Sequence, residues 1–180
     1  MKLVVDIEST GFRPKSDLIV EVAAYHLDGR GAPVKVLEEV VREDGFGAAH
    51  AGSWVFKHTS LTPEAVVAEG VPVGGVIARL QRAVDAATEV VAYNAAFDVA
   101  FLRQRGLIVP EGKVRCIMLA ATEALKIPPK KGKEGFAWPS FSRAWEEFMG
   151  APLVQEHRAG DDALKECLLL RRMEEKGLLW

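Results

Sequence analysis

The strongest constraint on the fold is a short apolar segment that ends in two acids near the start of the chain. Residues 2–6 contain a leucine and two valines in succession, which predicts a buried β-strand. Asp6 and Glu8 follow with Ile7 between them, and residues two apart on a strand point the same way. Because two half-buried carboxylates repel and lose hydration, they need a cation, for which Mg²⁺ or Mn²⁺ is suitable. Taken alone, the motif favours the alternative interpretation, which is two solvated acids at a strand end.

Length and composition limit the class of protein. With 180 residues, 49% of them hydrophobic, the chain is expected to form one globular domain with its own core. No apolar run reaches about 18 residues, so we expect no transmembrane helix and no membrane partner. Because Met1 leads directly into the first strand, we also expect no secretory signal peptide. The net charge of −2 argues against a coat for duplex nucleic acid, but not against an enzyme that grips one chain end through metal ions.

The two cysteines indicate the redox environment. Cys116 and Cys167 both stand in apolar contexts. This favours buried free thiols over a disulfide or a metal site. We therefore expect a reducing compartment and a cytoplasmic location.

Hydrophobic periodicity predicts alternating strands and helices around one core. The strands are expected at residues 2–6, 18–27, 34–42, 89–93 and 113–117, the first three as an antiparallel meander. The helices are expected at residues 62–69, 72–86, 94–105, 118–125, 140–148 and 159–176. Residues 43–57 show no period and are predicted to be a loop. The order of elements indicates a mixed α/β layer fold without internal repeats.

A second predicted loop is basic. Residues 128–135 combine prolines and glycines with three lysines. The segment is either a solvated surface loop or a contact for a phosphate backbone, and both interpretations stay open.

Three further titratable residues lie where predicted helices begin. Asp98 stands in the first turn after the strand at residues 89–93, where it can cap the helix or line a site at the strand end. His157 precedes the last helix, and Asp162 lies in its first turn. A metal-bound carboxylate beside a histidine can perform acid–base chemistry, whereas each residue alone would be a surface or capping residue.

Together these residues carry a family resemblance that covers almost the whole chain. In order and in context, the three motifs resemble those of the DEDDh (DnaQ-like) 3′-to-5′ exonucleases. That family includes polymerase proofreading subunits and small RNA-trimming exonucleases. The motifs are Asp6-x-Glu8, Asn94-x-x-Phe97-Asp98 and His157-x-Ala159-x-x-Asp162. The resemblance implies a ribonuclease H-like fold, a mixed five-stranded sheet flanked by helices, with residues 1–180 as a single exonuclease domain.

The resemblance also implies roles for individual residues. Two divalent ions, Mg²⁺ or Mn²⁺, would be held by Asp6, Glu8, Asp98 and Asp162. His157 would be the general base, and activity should fall at acid pH because the base must be neutral. The implied substrate contacts are Ser9, Thr10, Phe12, Asn94 and Leu61, with the backbone N–H groups after the first strand left free.

The chain departs from the family pattern in three places. Ser9 stands where a threonine is more frequent, and Tyr93 stands where a histidine often precedes Asn94. The segment from His58 to Thr62 is one residue longer than the corresponding family motif. No metal-ligand or base position is lost, so an active enzyme is expected.

The predicted function is metal-dependent 3′-to-5′ hydrolysis of single-stranded nucleic acid, DNA favoured, with release of nucleoside 5′-monophosphates. An exonuclease that trims RNA or oligoribonucleotides is one alternative, because the choice depends on how the site meets the 2′-hydroxyl. A polymerase-associated accessory module that mainly binds is an alternative of another class. The expected partners are single-stranded 3′ ends and a DNA polymerase.

Overall fold

The computed structural model describes residues 1–29 and 31–180. Its centre is a mixed sheet whose first three strands form the predicted antiparallel meander. The strands are β1 (Lys2–Ser9), β2 (Ile19–Leu27), β3 (Val34–Arg42), β4 (Val71–Pro72), β5 (Glu89–Ala92) and β6 (Val114–Cys116). Their order across the sheet is β4-β3-β2-β1-β5-β6, and β5 and β6 continue the sheet in parallel. The strand that carries the acids is thus interior to the sheet.

The helices lie at or near their predicted positions, with one addition. They are α1 (Trp54–His58), α2 (Pro63–Glu69), α3 (Val73–Ala86), α4 (Ala95–Gln104), α5 (Ile117–Leu125), α6 (Phe141–Met149) and α7 (Ala159–Glu175). Thr62 caps α2 as predicted, since its hydroxyl accepts a hydrogen bond from the backbone N–H of Ala65 at 3.1 Å. Ser140 caps α6 in the same way, with Arg143 N–H as donor at 3.2 Å.

Two predictions of local structure are wrong. Residues 43–57 are not only a loop, because a 3₁₀ turn (Ala48–His50) and most of α1 lie within them. Each is a single turn, too short to produce a helical period in the sequence. The described part of the sheet has six strands where five were predicted, because the two-residue β4 pairs in parallel with the end of β3. The mixed α/β class with helices flanking the sheet is confirmed.

The two faces of β1 serve different purposes. Leu3, Val5 and Ile7 point into the core that α3 and α4 cover. Val4 points to the opposite core, which α5, α6 and α7 cover. Since side chains alternate along a strand, Asp6 and Glu8 share the side of Val4 and face α7.

Two further expectations concern chemistry outside the site. Cys116 and Cys167 are free thiols as predicted, but only Cys167 is fully buried. Among the described residues, no helix combines the length and the apolar character needed to cross a membrane.

Candidate active site

Acids from three elements converge where β1 ends and α4 and α7 begin. Asp6 and Glu8 lie on β1, and Asp162 lies in the first turn of α7. One carboxylate oxygen from each of these three residues lies within 4.8 Å of the other two. The arrangement offers oxygen ligands to a cation from two different elements.

Asp98 brings a fourth carboxylate to the same place. It lies in the first turn of α4 and is only 4% exposed. Its Oδ1 accepts a hydrogen bond from the backbone N–H of Ile7 at 3.3 Å, which ties the start of α4 to β1. We name the adjoining cavity, of about 200 Å³, the acidic cleft. It is lined by Asp6, Ile7, Tyr93, Asn94, Phe97, Asp98, Phe141, Gln155, Asp162 and Glu166.

Burial and mutual repulsion hold protons on these carboxyl groups. Desolvation, followed by the charge of Asp162, raises the pKa of Glu8 to about 8. Desolvation raises the pKa of Asp98 to about 7. It also raises the pKa of Asp6 well above the ordinary value, with neighbouring carboxylates adding to the effect. A divalent cation supplies the positive charge that the cluster lacks, so this donor set fits a metal ion.

His157 precedes α7 in an unusual backbone conformation. Its φ of 49° lies in the left-handed region, which residues other than glycine rarely adopt. Gln155 Nε2 donates a hydrogen bond to Asp162 Oδ1 at 2.9 Å. Desolvation raises the pKa of Asp162, whereas the bond from Gln155 and, to a smaller extent, His157 lower it. The segment before α7 therefore brings an amide directly to the Asp162 carboxylate, while the His157 ring makes neither a hydrogen bond nor an ion pair with it.

A buried ion pair fixes this segment. Arg158 Nε donates to both oxygens of Glu21 at 3.0 Å, and the backbone N–H of Ala159 donates to Glu21 Oε2 at 2.9 Å. Glu21 is 1% exposed and lies on β2 directly opposite Glu8. The pair thus joins the start of α7 to the strand beside the acids and holds His157 in its left-handed conformation.

One aromatic ring, that of Trp54, contacts His157. Trp54 of α1 contacts the His157 ring edge-on, with ring centroids 5.6 Å apart. The other neighbour of Trp54 is His58, whose ring is stacked at 4.4 Å. Trp54 is half exposed, so a face of apolar surface borders His157.

The turn after β1 differs from its prediction. The backbone N–H of Thr10 is not free, because it donates to the Leu18 carbonyl at 2.8 Å. The Thr10 hydroxyl in turn accepts a hydrogen bond from Leu18 N–H at 2.9 Å, and the Ser9 hydroxyl donates to the Gly11 carbonyl at 2.6 Å. The turn folds back onto the start of β2, so these groups already have hydrogen-bond partners within the protein.

Phe12 lies at the exposed tip of this turn. Its side chain is 83% exposed and meets Phe97, a cleft residue, edge-on at 6.3 Å. The turn is held from below by Arg105, which donates to the carbonyls of Pro14 and Asp17, both at 2.5 Å. The sequence placed Arg105 at the end of a helix but gave no signal of this role.

The remaining predicted substrate contacts separate into one cleft residue and one core residue. Asn94 is exposed at the start of α4 and lines the acidic cleft. Leu61 is 2% exposed and packs with Val20, Val55 and Val66. Leu61 is therefore a core residue with no free surface for a nucleotide, because the helix α1 and the residues after it bury it.

The basic loop ends beside the cleft. Its three lysines are exposed, and Ala137 N–H closes it by donating to the Ile127 carbonyl at 2.9 Å. The hydroxyl of Tyr93, which lines the cleft, donates to the Pro139 carbonyl at 2.9 Å. Trp138 next to it is 68% exposed. The segment after the loop thus contacts a cleft residue through Pro139, and the loop itself presents exposed positive charge.

Four functional candidates escaped the sequence analysis. Glu21 was counted only as part of an alternating strand, and Arg158 only as part of a motif. Trp54 lay in a predicted loop, although its spacing from His58 is that of one helical turn. Glu166 had a signal that could have been used, since it follows Asp162 by four residues on one helix and shares its face.

A family model described as "Exonuclease" (RNase_T) matches residues 3–170, nearly the whole chain. The chain belongs to this exonuclease family. It therefore carries an exonuclease domain, and the predicted DEDD-type superfamily is confirmed at that level. No curated protein matches the chain in sequence.

Solved structures of Exonuclease I share the fold of this exonuclease domain. Escherichia coli Exonuclease I in complex with a 5cy-dA13 oligonucleotide has a TM-score of 0.70 at 18% identity, with 97% of this chain and 40% of that chain covered. Exonuclease I from Methylocaldum szegediense has a TM-score of 0.67 at 19% sequence identity, with 97% of this chain and 40% of that chain covered. A product-bound Exonuclease I has a TM-score of 0.68 at 17% sequence identity, with 98% of this chain and 44% of that chain covered. The chain spans about two fifths of their length, and the ribonuclease H-like class of fold is confirmed.

Proposed function

We propose that residues 1–180 form one exonuclease domain that hydrolyses single-stranded nucleic acid from its 3′ end and releases nucleoside 5′-monophosphates. The observation that carries the proposal is the convergence of Asp6, Glu8 and Asp162 within 4.8 Å. Asp98 on the wall of the same cleft supports it further. A purely binding domain has no use for four carboxylates whose burial is this unfavourable.

The four carboxylates would hold two divalent ions, Mg²⁺ or Mn²⁺. When bound, such ions supply Lewis-acid charge to the scissile phosphate and to the water that attacks it. Asp6 and Glu8 would contribute from β1, Asp98 from α4 and Asp162 from α7. Their raised pKa values imply that the ions and protons compete for the same oxygens.

His157 is the general base in this proposal. Its position before α7 and its influence on Asp162 support the DEDDh assignment. The residue accepts a proton from the attacking water, while Arg158 and Glu21 hold the backbone that carries it. The edge-on contact with Trp54 restricts the orientation of the ring.

Exposed groups around the cleft bind the substrate. Phe12 packs against the terminal base, Asn94 positions the strand, and Ser9 and Thr10 shape the turn that receives the terminal nucleotide. The basic loop contacts the phosphate backbone upstream. DNA is the favoured substrate, in keeping with the oligonucleotide bound by the similar Escherichia coli enzyme. A DNA polymerase partner, a proofreading role and a cytoplasmic location stay predictions.

The test is a gel time course on 5′-labelled single-stranded DNA and RNA of one sequence, with Mg²⁺, Mn²⁺ or EDTA. We expect a ladder that shortens from the 3′ end, stops in EDTA and is lost in Asp162→Asn. Asp161→Asn is the matched control, because Asp161 is paired with Lys165 outside the cleft. The faster substrate decides between DNA and RNA. Absence of degradation with either metal would contradict the proposal.

A further inference from the structure

Glu166 is a buried acid that the four-carboxylate set leaves unused. It lies one helical turn after Asp162 on α7 and is 2% exposed. Its neighbours Ala163 and Cys167 pack in the apolar core. Glu166 instead lines the acidic cleft with Asp6, Asp98 and Asp162.

One oxygen of Glu166 is unpaired. Its Oε2 is fully buried and has no hydrogen-bond partner among the residues that the structure describes. Buried carboxylate oxygens in folded proteins are nearly always satisfied, because leaving one without a partner is costly. The unpaired oxygen at the wall of an acidic cavity therefore indicates a ligand with positive charge.

The neighbourhood of Glu166 supports this conclusion. Among the charged neighbours of Asp6, Glu166 contributes most to its raised pKa. Desolvation raises the pKa of Glu166 itself, the charge of Asp98 raises it further, and a hydrogen bond from the Tyr93 backbone lowers it. Three acids thus share the inner part of the cleft, where no described lysine or arginine lines the wall.

We propose that Glu166 is a fifth carboxylate of the metal centre, whose unpaired oxygen binds a divalent cation together with Asp6 and Asp98. The inference rests on the proposed metal-dependent function and deepens it. In the alternative, Glu166 is a neutral buried acid with a purely structural role. Glutamine separates the two, because it has the shape of the neutral acid but lacks the negative charge that makes a carboxylate the stronger ligand of a divalent cation.

The experiment measures Mn²⁺ affinity by calorimetric titration and melting temperature in EDTA and in MnCl₂, on the full chain. Glu166→Gln is expected to melt at or above the wild-type temperature in EDTA, because it removes a buried ionisable carboxyl group while keeping the shape of the side chain. The rise in melting temperature with Mn²⁺ should be smaller for this variant than for the wild type. Its Mn²⁺ dissociation constant should increase about 10- to 100-fold, the usual effect of removing a group that supports a metal site. Glu175→Gln, an exposed position on the same helix, is the matched control and should behave as wild type.

The outcomes separate this inference from the proposed function. Wild-type Mn²⁺ affinity in Glu166→Gln, with binding lost in Asp6→Asn, would overturn the role of Glu166 alone. Absence of Mn²⁺ binding to the wild type would overturn both. Glu166→Leu, of similar volume, provides a second variant should the glutamine variant fail to fold, and the same loss of affinity is expected.

Discussion

Two cavities meet at Asn94, at the start of α4, and they differ in size and in charge. The acidic cleft has a volume of about 200 Å³. The second cavity, which we name the apolar groove, has about 1050 Å³ and lies mainly between α4, α5 and residues 177–180. Its lining includes Val99, Leu119 and Trp138.

Charge compensation separates the two cavities more clearly than size. The two arginines of the apolar groove have partners, since Arg103 pairs with Glu111 at 2.5 Å and Arg115 pairs with Glu89 at 3.2 Å. In the described residues no lysine or arginine lines the acidic cleft, and its carboxylates have raised pKa values. An uncompensated cluster is unfavourable without a cation, so the smaller cavity is the one that can hold metal ions. The larger offers area but no reactive group of this kind.

The largest expected effect comes from removing one charge from the acidic cleft. Asp6→Asn should lower kcat/KM by more than about 10⁴-fold, which is the upper end of what one general base contributes. The loss is this large because the substitution removes a ligand of the metal centre. Leu119→Ala, in the apolar groove, should leave exonuclease activity unchanged. Single-turnover assays on labelled single-stranded DNA measure both. Equal losses in the two variants would remove the distinction between the cavities.

His157→Ala should cost about 10²- to 10⁴-fold in kcat, the usual contribution of a positioned acid or base. The variant should keep the wild-type rise in melting temperature with Mn²⁺, because the carboxylates remain. His58→Ala serves as the control, since the His58 ring also contacts Trp54 but is not the proposed base. A variant that lost metal stabilisation as well would make His157 part of the metal centre instead.

Arg158→Ala should reduce both activity and stability. It leaves Glu21, which is 1% exposed, without its cation, and breaking a buried pair costs about 3–5 kcal/mol. Activity should fall about 10- to 100-fold, because the segment with His157 loses its support. Urea titrations of both free energies of unfolding need a control, which is Arg143→Ala. This variant breaks an exposed pair with Glu147 and should lower the free energy of unfolding by no more than about 1 kcal/mol. The account fails here if both variants unfold at the same urea concentration.

The basic loop should contribute a few-fold effect on binding. Replacing Lys130, Lys131 and Lys133 together by alanine should raise KM, leave kcat unchanged and reduce the dependence of KM on salt. Lys176→Ala is the control at an exposed position away from the loop. An unchanged salt dependence would show that the loop is only a solvated surface segment.

A separate effect concerns the pH dependence of stability in the metal-free protein. Because burial raises the pKa of Glu8 to about 8 and that of Asp98 to about 7, the folded state binds protons more tightly than the unfolded state. The melting temperature in EDTA should therefore fall as pH rises from about 4 to about 8, the window between the ordinary and the raised pKa values. In Mn²⁺ the decline should be smaller. A melting temperature in EDTA that rises across this window is the opposite of what we expect.

The carboxylate motifs were predictable because they sit at the ends of elements with strong periods. The apolar run before Asp6 and the helix that starts near Asp98 are both visible in the sequence, whereas the grouping of the four acids was implied by the family resemblance. The support of the site could not be predicted, since the pair of Glu21 with Arg158 joins positions 137 residues apart. Single-turn elements such as α1 and the two-residue β4 leave no periodic signal, so the sequence could not place Leu61, an implied substrate contact, in the core beside Val55 of α1.

Diffraction from crystals grown with Mn²⁺, recorded at the manganese absorption edge, tests the central claim most directly. The account predicts two anomalous peaks inside the acidic cleft of the wild type, in contact with Asp6, Glu8, Asp98 and Asp162. The same crystals of Asp6→Asn should lack at least one of them. Anomalous density only at acids outside the cleft, or none at all at millimolar Mn²⁺, would contradict the account.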